Sequence, residues 1–237
     1  MALDLVRVHK VGKRFASERA LAGVSIELRA SSMCAVLGHN GAGKTTLVGI
    51  VSTLVRPSDG KVTYETAGAE VTDAIAVRRE IGLLAHASLC YGELTATENL
   101  TFVAGMYEVD ASPARITALL DQVGLDSKAR DRAARTYSRG MLQRLALARA
   151  LLTQPSLILL DEPFTGLDRG GALALGERLG QLKASGAIVV VVTHDLEAIA
   201  DRTDHVVVLR RGALAFEERG GGYTYDRLKE IYHQYAS

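Results

Sequence analysis

Gly38-His39-Asn40-Gly41-Ala42-Gly43-Lys44-Thr45 is the stretch that most narrows what this chain can fold into, because G-x-x-x-x-G-K-[ST] requires a strand before it and a helix after it. Both contexts are present. Met33-Cys34-Ala35-Val36-Leu37 is short and apolar, and Lys44 to Leu54 holds no helix breaker apart from Gly49, so the pattern predicts strand, loop and helix in that order. Glycines at 38, 41 and 43 let the backbone turn tightly, aiming successive N–H groups and the helix N-terminus at anionic oxygens. An ordinary glycine-rich turn needs neither the Lys-Thr pair nor a buried strand ahead of it. The stretch from Gly38 through Thr46 therefore reads as a phosphate-binding loop. Lys44 is expected to reach β- and γ-phosphates, and the Thr45 hydroxyl to ligate Mg²⁺.

At 237 residues and 48% hydrophobic content the chain suits one large α/β domain, residues 1–237, with room for an inserted subdomain. Its formal net charge of +1, its 5% aromatics and its basic runs no longer than Arg78-Arg79 and Arg210-Arg211 argue against a nucleic-acid partner. Cys34 and Cys90 show no CxxC spacing, which suggests neither a zinc site nor a disulfide framework and points to a reducing cytosol. No apolar run approaches the ~20 residues of a membrane span, and Met1 to Val11 interleaves charges where a signal peptide would be continuously apolar.

Along the chain, Leu3 to Val11 and Ala20 to Arg29 read as strands, the second alternating Val24, Ile26 and Leu28 with Ser25, Glu27 and Arg29 as in a half-solvated antiparallel sheet. Phe15, between them, is either a core plug under the hairpin or a platform for a nucleotide base. A turn at Arg56 to Gly60 leads into a strand at Lys61 to Tyr64, and another strand is expected over Glu80 to Ala85. Thr95-Ala96-Thr97-Glu98 is a capping box opening a helix near Thr97 to Tyr107, and Ser112-Pro113 opens one ended by Gly124. With Asp126 to Arg132 and Met141 to Leu152, residues 87–152 form a helical insertion. Beyond it come a buried strand Leu157 to Leu160, a helix Gly170 to Ser185 and a strand Ala187 to Val192, a βα rhythm that predicts a mainly parallel sheet. A hairpin around Arg211-Gly212 and a glycine hinge at Gly220 to Gly222 precede the last helix, 223–237, whose stripe Leu228, Ile231, Tyr232 and Tyr235 is expected to dock onto the domain.

Asp161 and Glu162 stand at the C-terminal end of the buried strand, where open α/β sheets carry their sites. Two carboxylates there repel each other unless a cation lies between them, so Asp161 is expected to hold Mg²⁺ and Glu162 to polarise an attacking water. At this point the chain resembles, over essentially its whole length, the nucleotide-binding subunit of an ATP-binding cassette (ABC) transporter. Five motifs fall in the family's order: the phosphate loop, Tyr137-Ser138-Arg139-Gly140-Met141 at the signature position, Leu157 to Glu162, Thr165-Gly166-Leu167-Asp168, and His194. The resemblance implies a P-loop NTPase core with an antiparallel β subdomain and an inserted α-helical subdomain that meets an integral membrane subunit. It implies ATP and Mg²⁺ as ligands and a dimer of nucleotide-binding domains at the cytoplasmic face of the membrane. It also makes Phe15 the adenine-stacking aromatic, Ser138 and Gly140 contacts to the γ-phosphate, Asp168 a member of the nucleotide site and His194 the switch histidine.

Two motifs depart from the family pattern. His86 stands where most members have glutamine, a position tied to water and Mg²⁺, and the signature reads Ser-Arg-Gly-Met in place of Ser-Gly-Gly-Gln. The histidine, Glu93 to Leu100, Ser138 to Leu152 and Asp161 to Asp168 are together similar to the ATPase subunits of bacterial cytochrome c maturation haem exporters. Other exporter ATPases, for drugs, lipids or polysaccharides, are the alternative within the family. A non-transport ABC ATPase acting on ribosomes or DNA is the rival outside transport; it usually brings two cassettes or a long coiled coil, and neither is visible.

Overall fold

The alternation in the second strand segment produces an antiparallel pair, β1 (Leu5–Phe15) with β2 (Glu18–Arg29), in which Val6 faces Leu28 and Val8 faces Ile26. This is a computed structural model, and it describes residues 1–236. β3 (Ser32–Leu37) is buried over all but its first residue and runs into the phosphate loop and α1 (Lys44–Val51). The helix stops three residues short of the expected Leu54. Thr53 turns to φ 65° and Val55 N donates to Gly49 O, closing the C-terminal turn early. β4 (Asp59–Thr66) pairs with the free side of β1, and the two-residue β5 (Ala69–Glu70) completes a four-stranded antiparallel sheet in the order β2-β1-β4-β5.

A short α2 (Ala74–Arg79), capped by Asp73, leads to β6 (Ile81–Leu84). The helical insertion then holds α3 (Ala96–Tyr107), α4 (Pro113–Gln122) and α5 (Arg139–Leu151). Its capping box forms as expected: Thr95 N donates to Glu98 Oε2 at 2.8 Å and Glu98 N donates to Thr95 Oγ1 at 3.1 Å. The helix expected over Asp126 to Arg132 is instead a 3-10 turn at Ser127–Ala129. Ala129 is the one residue of that segment buried, so no apolar stripe sustains further turns.

β7 (Leu157–Asp161), α6 (Arg169–Ala184), β8 (Ile188–Val192) and α7 (Leu196–Ile199) follow, then β9 (His205–Arg210), β10 (Ala213–Arg219) and α8 (Tyr225–Tyr235). The main sheet has the order β10-β9-β3-β8-β7-β6, parallel throughout except for the antiparallel edge β10. One face of it packs against α1 and the antiparallel sheet, the other against the helical insertion and α6. In this way β3, β7, β8 and β6 all end on one edge, which gathers the phosphate loop, Asp161-Glu162, His194 and His86. Gly220 to Gly222 is tied down on both sides, Gly220 N donating to Asp204 O at 2.9 Å and Asp201 N to Tyr223 O at 2.8 Å. α8 docks through buried Leu228 and Ile231. No helix among the described residues is long and apolar enough to cross a membrane.

Candidate functional site

Lys44, only 7% exposed, folds back over the loop that precedes it, its Nζ donating to Gly38 O at 2.6 Å and His39 O at 3.0 Å. Burial pulls its ammonium below the ordinary lysine value, while Glu162 and Asp161 hold it charged. Gly43, at φ 100°, is where side chains are excluded: a Cβ there would lie 2.5 Å from Ala20 O and 2.7 Å from Leu21 Cδ2. That approach sets the end of the β1–β2 hairpin against the loop. Gly212 N also donates to Ala42 O at 3.1 Å, bracing the loop from the β9–β10 side. His39, Asn40 and Gly41 are exposed on the outer surface of the loop, and Thr46 lies half-buried in the first turn of α1.

Phe15 is 50% exposed at the end of β1, on the same hairpin whose Ala20 touches Gly43. This corrects the core-plug alternative: the ring is offered outward, with Lys13 Nζ 4.9 Å from its centroid.

Thr45 Oγ1 donates to Asp161 Oδ2 at 2.7 Å, joining the start of α1 to the end of β7. A hydroxyl and a carboxylate oxygen side by side, with no cluster of three acidic, histidine or cysteine side chains among the described residues, form a sparse set of hard donors. Such a set fits Mg²⁺, which keeps waters and takes phosphate oxygens to complete its shell. Thr45 and Asp161 are thus the residues able to hold it.

Glu162 follows at φ 53°, a left-handed backbone that costs a non-glycine residue on the order of 1 kcal/mol or more. Its N–H donates to Val192 O at 2.8 Å, fastening the residue to the end of β8. Its Oε1 lies 3.2 Å from Nε2 of His194. Burial raises the Glu162 carboxyl above the ordinary range, His194 and Lys44 pull it back, and the neighbouring Asp161 pushes it further up. A carboxylate raised in this way is suited to accept a proton from water. His86, Arg139, Gln143, Asp161, Glu162 and Thr165 border one cavity of about 280 Å³, so the position that departs from the family pattern shares that cavity with the two carboxylates.

The signature segment has its own place within the chain. Ser138 is exposed and caps α5, its Oγ accepting from Met141 N at 3.3 Å. Gly140 is required sterically, since a Cβ there would meet Gly166 O at 2.6 Å. Asp168 caps α6, its Oδ1 accepting from Gly171 N at 2.9 Å, so within one chain its carboxylate serves a helix end. Gln143, which the sequence did not single out, donates from Nε2 to Glu162 O at 3.2 Å and Pro163 O at 3.1 Å, tying α5 to the segment after β7.

A family model described as "ABC transporter" matches residues 21–165. The daunorubicin resistance ATP-binding protein DrrA3 of Streptomyces coeruleorubidus is 36% identical over 232 residues, 97% of this chain and 71% of that protein. The phosphonates import ATP-binding protein PhnC of Anaeromyxobacter dehalogenans is 35% identical over 93% of this chain, which spans 47% of that protein's length. Among solved structures, a dimeric bacterial ABC transporter cassette superposes with a TM-score of 0.81 at 26% identity, over 90% of this chain and 98% of that one. The same cassette in a post-hydrolysis state bound to ADP and Pi matches at 0.81 and 27%, with the same coverage of 90% and 98%. The phosphate loop, the carboxylate pair and the mixed six-stranded sheet therefore have one common explanation: this chain belongs to the ABC transporter family, as an α/β P-loop ATPase cassette.

Proposed function

We propose that the chain binds Mg²⁺-ATP and hydrolyses it as the nucleotide-binding subunit of an ABC transporter, pairing with a second copy and driving a separate membrane subunit at the cytoplasmic face. The observation that carries this reading is the pair of contacts at the strand ends, Thr45 to Asp161 at 2.7 Å and Glu162 to His194 at 3.2 Å. The first pair is placed to hold Mg²⁺, which would neutralise charge on the phosphates. Phe15 stacks on the base, the 38–46 loop and Lys44 grip the phosphates, and Glu162 takes a proton from the attacking water. His194 orients Glu162 and the water, and His86 shares the cavity with both carboxylates. Ser138, Gly140 and Asp168 act on the nucleotide of the opposite copy.

For the membrane partner, the support is a groove of about 300 Å³ beside β6, bordered by Leu54, Leu89, Tyr107, Arg78 and Arg149. Leu54 and Leu89 are 66% and 46% exposed, and Phe102 and Met106 of α3 are also exposed. The insertion 87–152 is thus the surface that meets a membrane chain, within a single cassette domain that α8 closes. Relatives are named for cargoes as unlike as daunorubicin and phosphonates, so cargo choice lies outside the cassette. The finer reading, an exporter ATPase of the haem-exporter type, rests on the resemblance around His86 and Ser138 to Leu152.

The test is Mg²⁺-dependent ATP hydrolysis by the purified chain, together with its co-purification with a multi-span membrane protein. Leu89→Asp is expected to abolish co-purification with unchanged ATP affinity. Leu89 already sits at φ 54°, which Asp tolerates, so the fold survives the change. Retained co-purification moves the docking surface elsewhere, and absent hydrolysis ends the ATPase reading for this chain.

The raised carboxyl of Glu162 also fixes the acid limb of the reaction. The base must be ionised to act, so activity falls as pH drops through its folded-state value, and that value lies above the ordinary carboxylate range. kcat/KM measured against pH at saturating Mg²⁺ is expected to decline on the acid side earlier than an unperturbed glutamate allows. A limb at the ordinary glutamate position shows that burial does not govern the base.

A further inference from the structure

α8 does more than cover the core. Leu228 and Ile231 bury its inner face, and Tyr235 stacks on Phe216 with ring centroids 4.3 Å apart, so the helix is held on either side of Tyr232. From that anchored turn the Tyr232 ring reaches the nucleotide edge of the sheet. It lies edge-on to His39, with centroids 5.6 Å apart, and to His194, with centroids 6.3 Å apart, and its hydroxyl stands 3.4 Å from His39 Nδ1. His39 follows the end of β3 and His194 the end of β8, two strands paired side by side. One ring therefore touches two parts of the site at once. His39 carries a carbonyl that accepts from Lys44 Nζ, and His194 carries the nitrogen that meets Glu162.

The His194 side chain is 44% exposed, so its fold leaves the imidazole other rotamers to adopt. An edge-to-face contact favours the rotamer that makes it by a few-fold to about ten-fold. Tyr232 is half-buried, and the burial that seats α8 is supplied by Leu228 and Ile231, so the ring is not needed to hold the helix. We propose that Tyr232 is a positioning residue of the ATPase site, holding the His194 imidazole toward Glu162. This rests on the reading of Glu162 and His194 as hydrolytic groups. The C-terminal helix thereby becomes part of the nucleotide site, and any partner that lifts it lowers turnover.

The experiment uses the full chain and four variants at Tyr232 and His194, one of them double, each checked for parental thermal stability. Tyr232→Leu keeps apolar bulk but removes the ring edge and the hydroxyl, and is expected to lower kcat roughly 3- to 10-fold, in proportion to the lost rotamer preference. Tyr232→Phe restores most of that loss, because the ring is kept. In a His194→Ala background, Tyr232→Leu is expected to lower the remaining rate no further, since the residue acts through His194. Histidine-labelled NMR spectra give a second readout: Tyr232→Leu shifts the ring signals of His39, His194 and the adjacent His233 and leaves those of His9 and His86 in place. Parental kcat in Tyr232→Leu, an equal further loss on top of His194→Ala, or unshifted His194 signals in an active chain overturns the proposal alone. A parental chain that hydrolyses no ATP, or a His194→Ala variant as fast as the parent, removes the hydrolytic reading, and the proposal with it, even where the NMR contact is seen.

Discussion

Replacing Glu162 by Gln is expected to leave ATP binding at parental strength while slowing hydrolysis by on the order of 10² to 10⁴, the span that general-base assistance contributes. The substitution suits the question because it removes the charge and the proton-accepting capacity with almost no change in volume. The backbone makes the same demand on both side chains: φ 53° and the hydrogen bond from its N–H to Val192 O do not depend on the carboxylate. The Thr45–Asp161 pair remains, so the proposed Mg²⁺ donors are untouched. His194 Nε2 keeps an oxygen to face at the Glu162 position. Removing one of two adjacent like charges also relieves the repulsion that Asp161 exerts, so nothing in the substitution weakens ATP binding. Single-turnover hydrolysis and equilibrium ATP binding, measured on the same preparation, separate the two quantities. A parental single-turnover rate assigns the base to another group, and weakened ATP binding shows that the carboxylate supports the phosphates directly.

What could be read in the sequence was what repeats locally. The phosphate loop, the apolar strand before it and the acidic pair after β7 are contiguous, and each forms where the residues place it. The capping box at Thr95 and the stop at Gly124 are likewise short-range chemistry, and both appear. β5, α2 and α7 were not legible, because two, six and four residues are too few to show a period. Asp168 is legible as an N-cap, being an Asp ahead of a helical segment. Gln143 and Tyr232 give no local signal. Tyr232 lies 193 residues from His39, and its helical stripe with Leu228, Ile231 and Tyr235 reads simply as a docking face. Only the tertiary arrangement, which lays α8 across the ends of β3 and β8, gives that ring a place in the site.

The geometry within one chain also shapes the second large effect. Lys44 makes its bonds inside its own loop, and Ser138 makes its bond inside its own helix, at the exposed N-terminus of α5. An exposed N-terminus of a 13-residue helix presents unpaired N–H groups and a positive dipole end to whatever approaches it. On the proposed shared-site reading, a two-fold dimer would bring that end of one copy to the phosphates held by the other, so that each site would take Lys44 from one chain and Ser138 from its partner. Lys44→Ala and Ser138→Arg chains should then each be inactive as homodimers, because both of their sites are broken. In the mixed dimer the two lesions fall together in one site, and the other keeps an intact Lys44 and an intact Ser138. Mixing is expected to restore about one trapped ATP per dimer, read as occlusion in the presence of Mg²⁺. Arginine at Ser138 removes a cap worth about 0.5–2 kcal/mol, so the thermal stability of that chain must be shown to survive before the mixture is read. Were Lys44 and Ser138 to serve the same nucleotide within one chain, every chain in the mixture would still carry a defect and no site would recover. A mixed dimer that demonstrably forms and occludes no nucleotide overturns the shared site, and with it the pairing of two copies proposed for this chain.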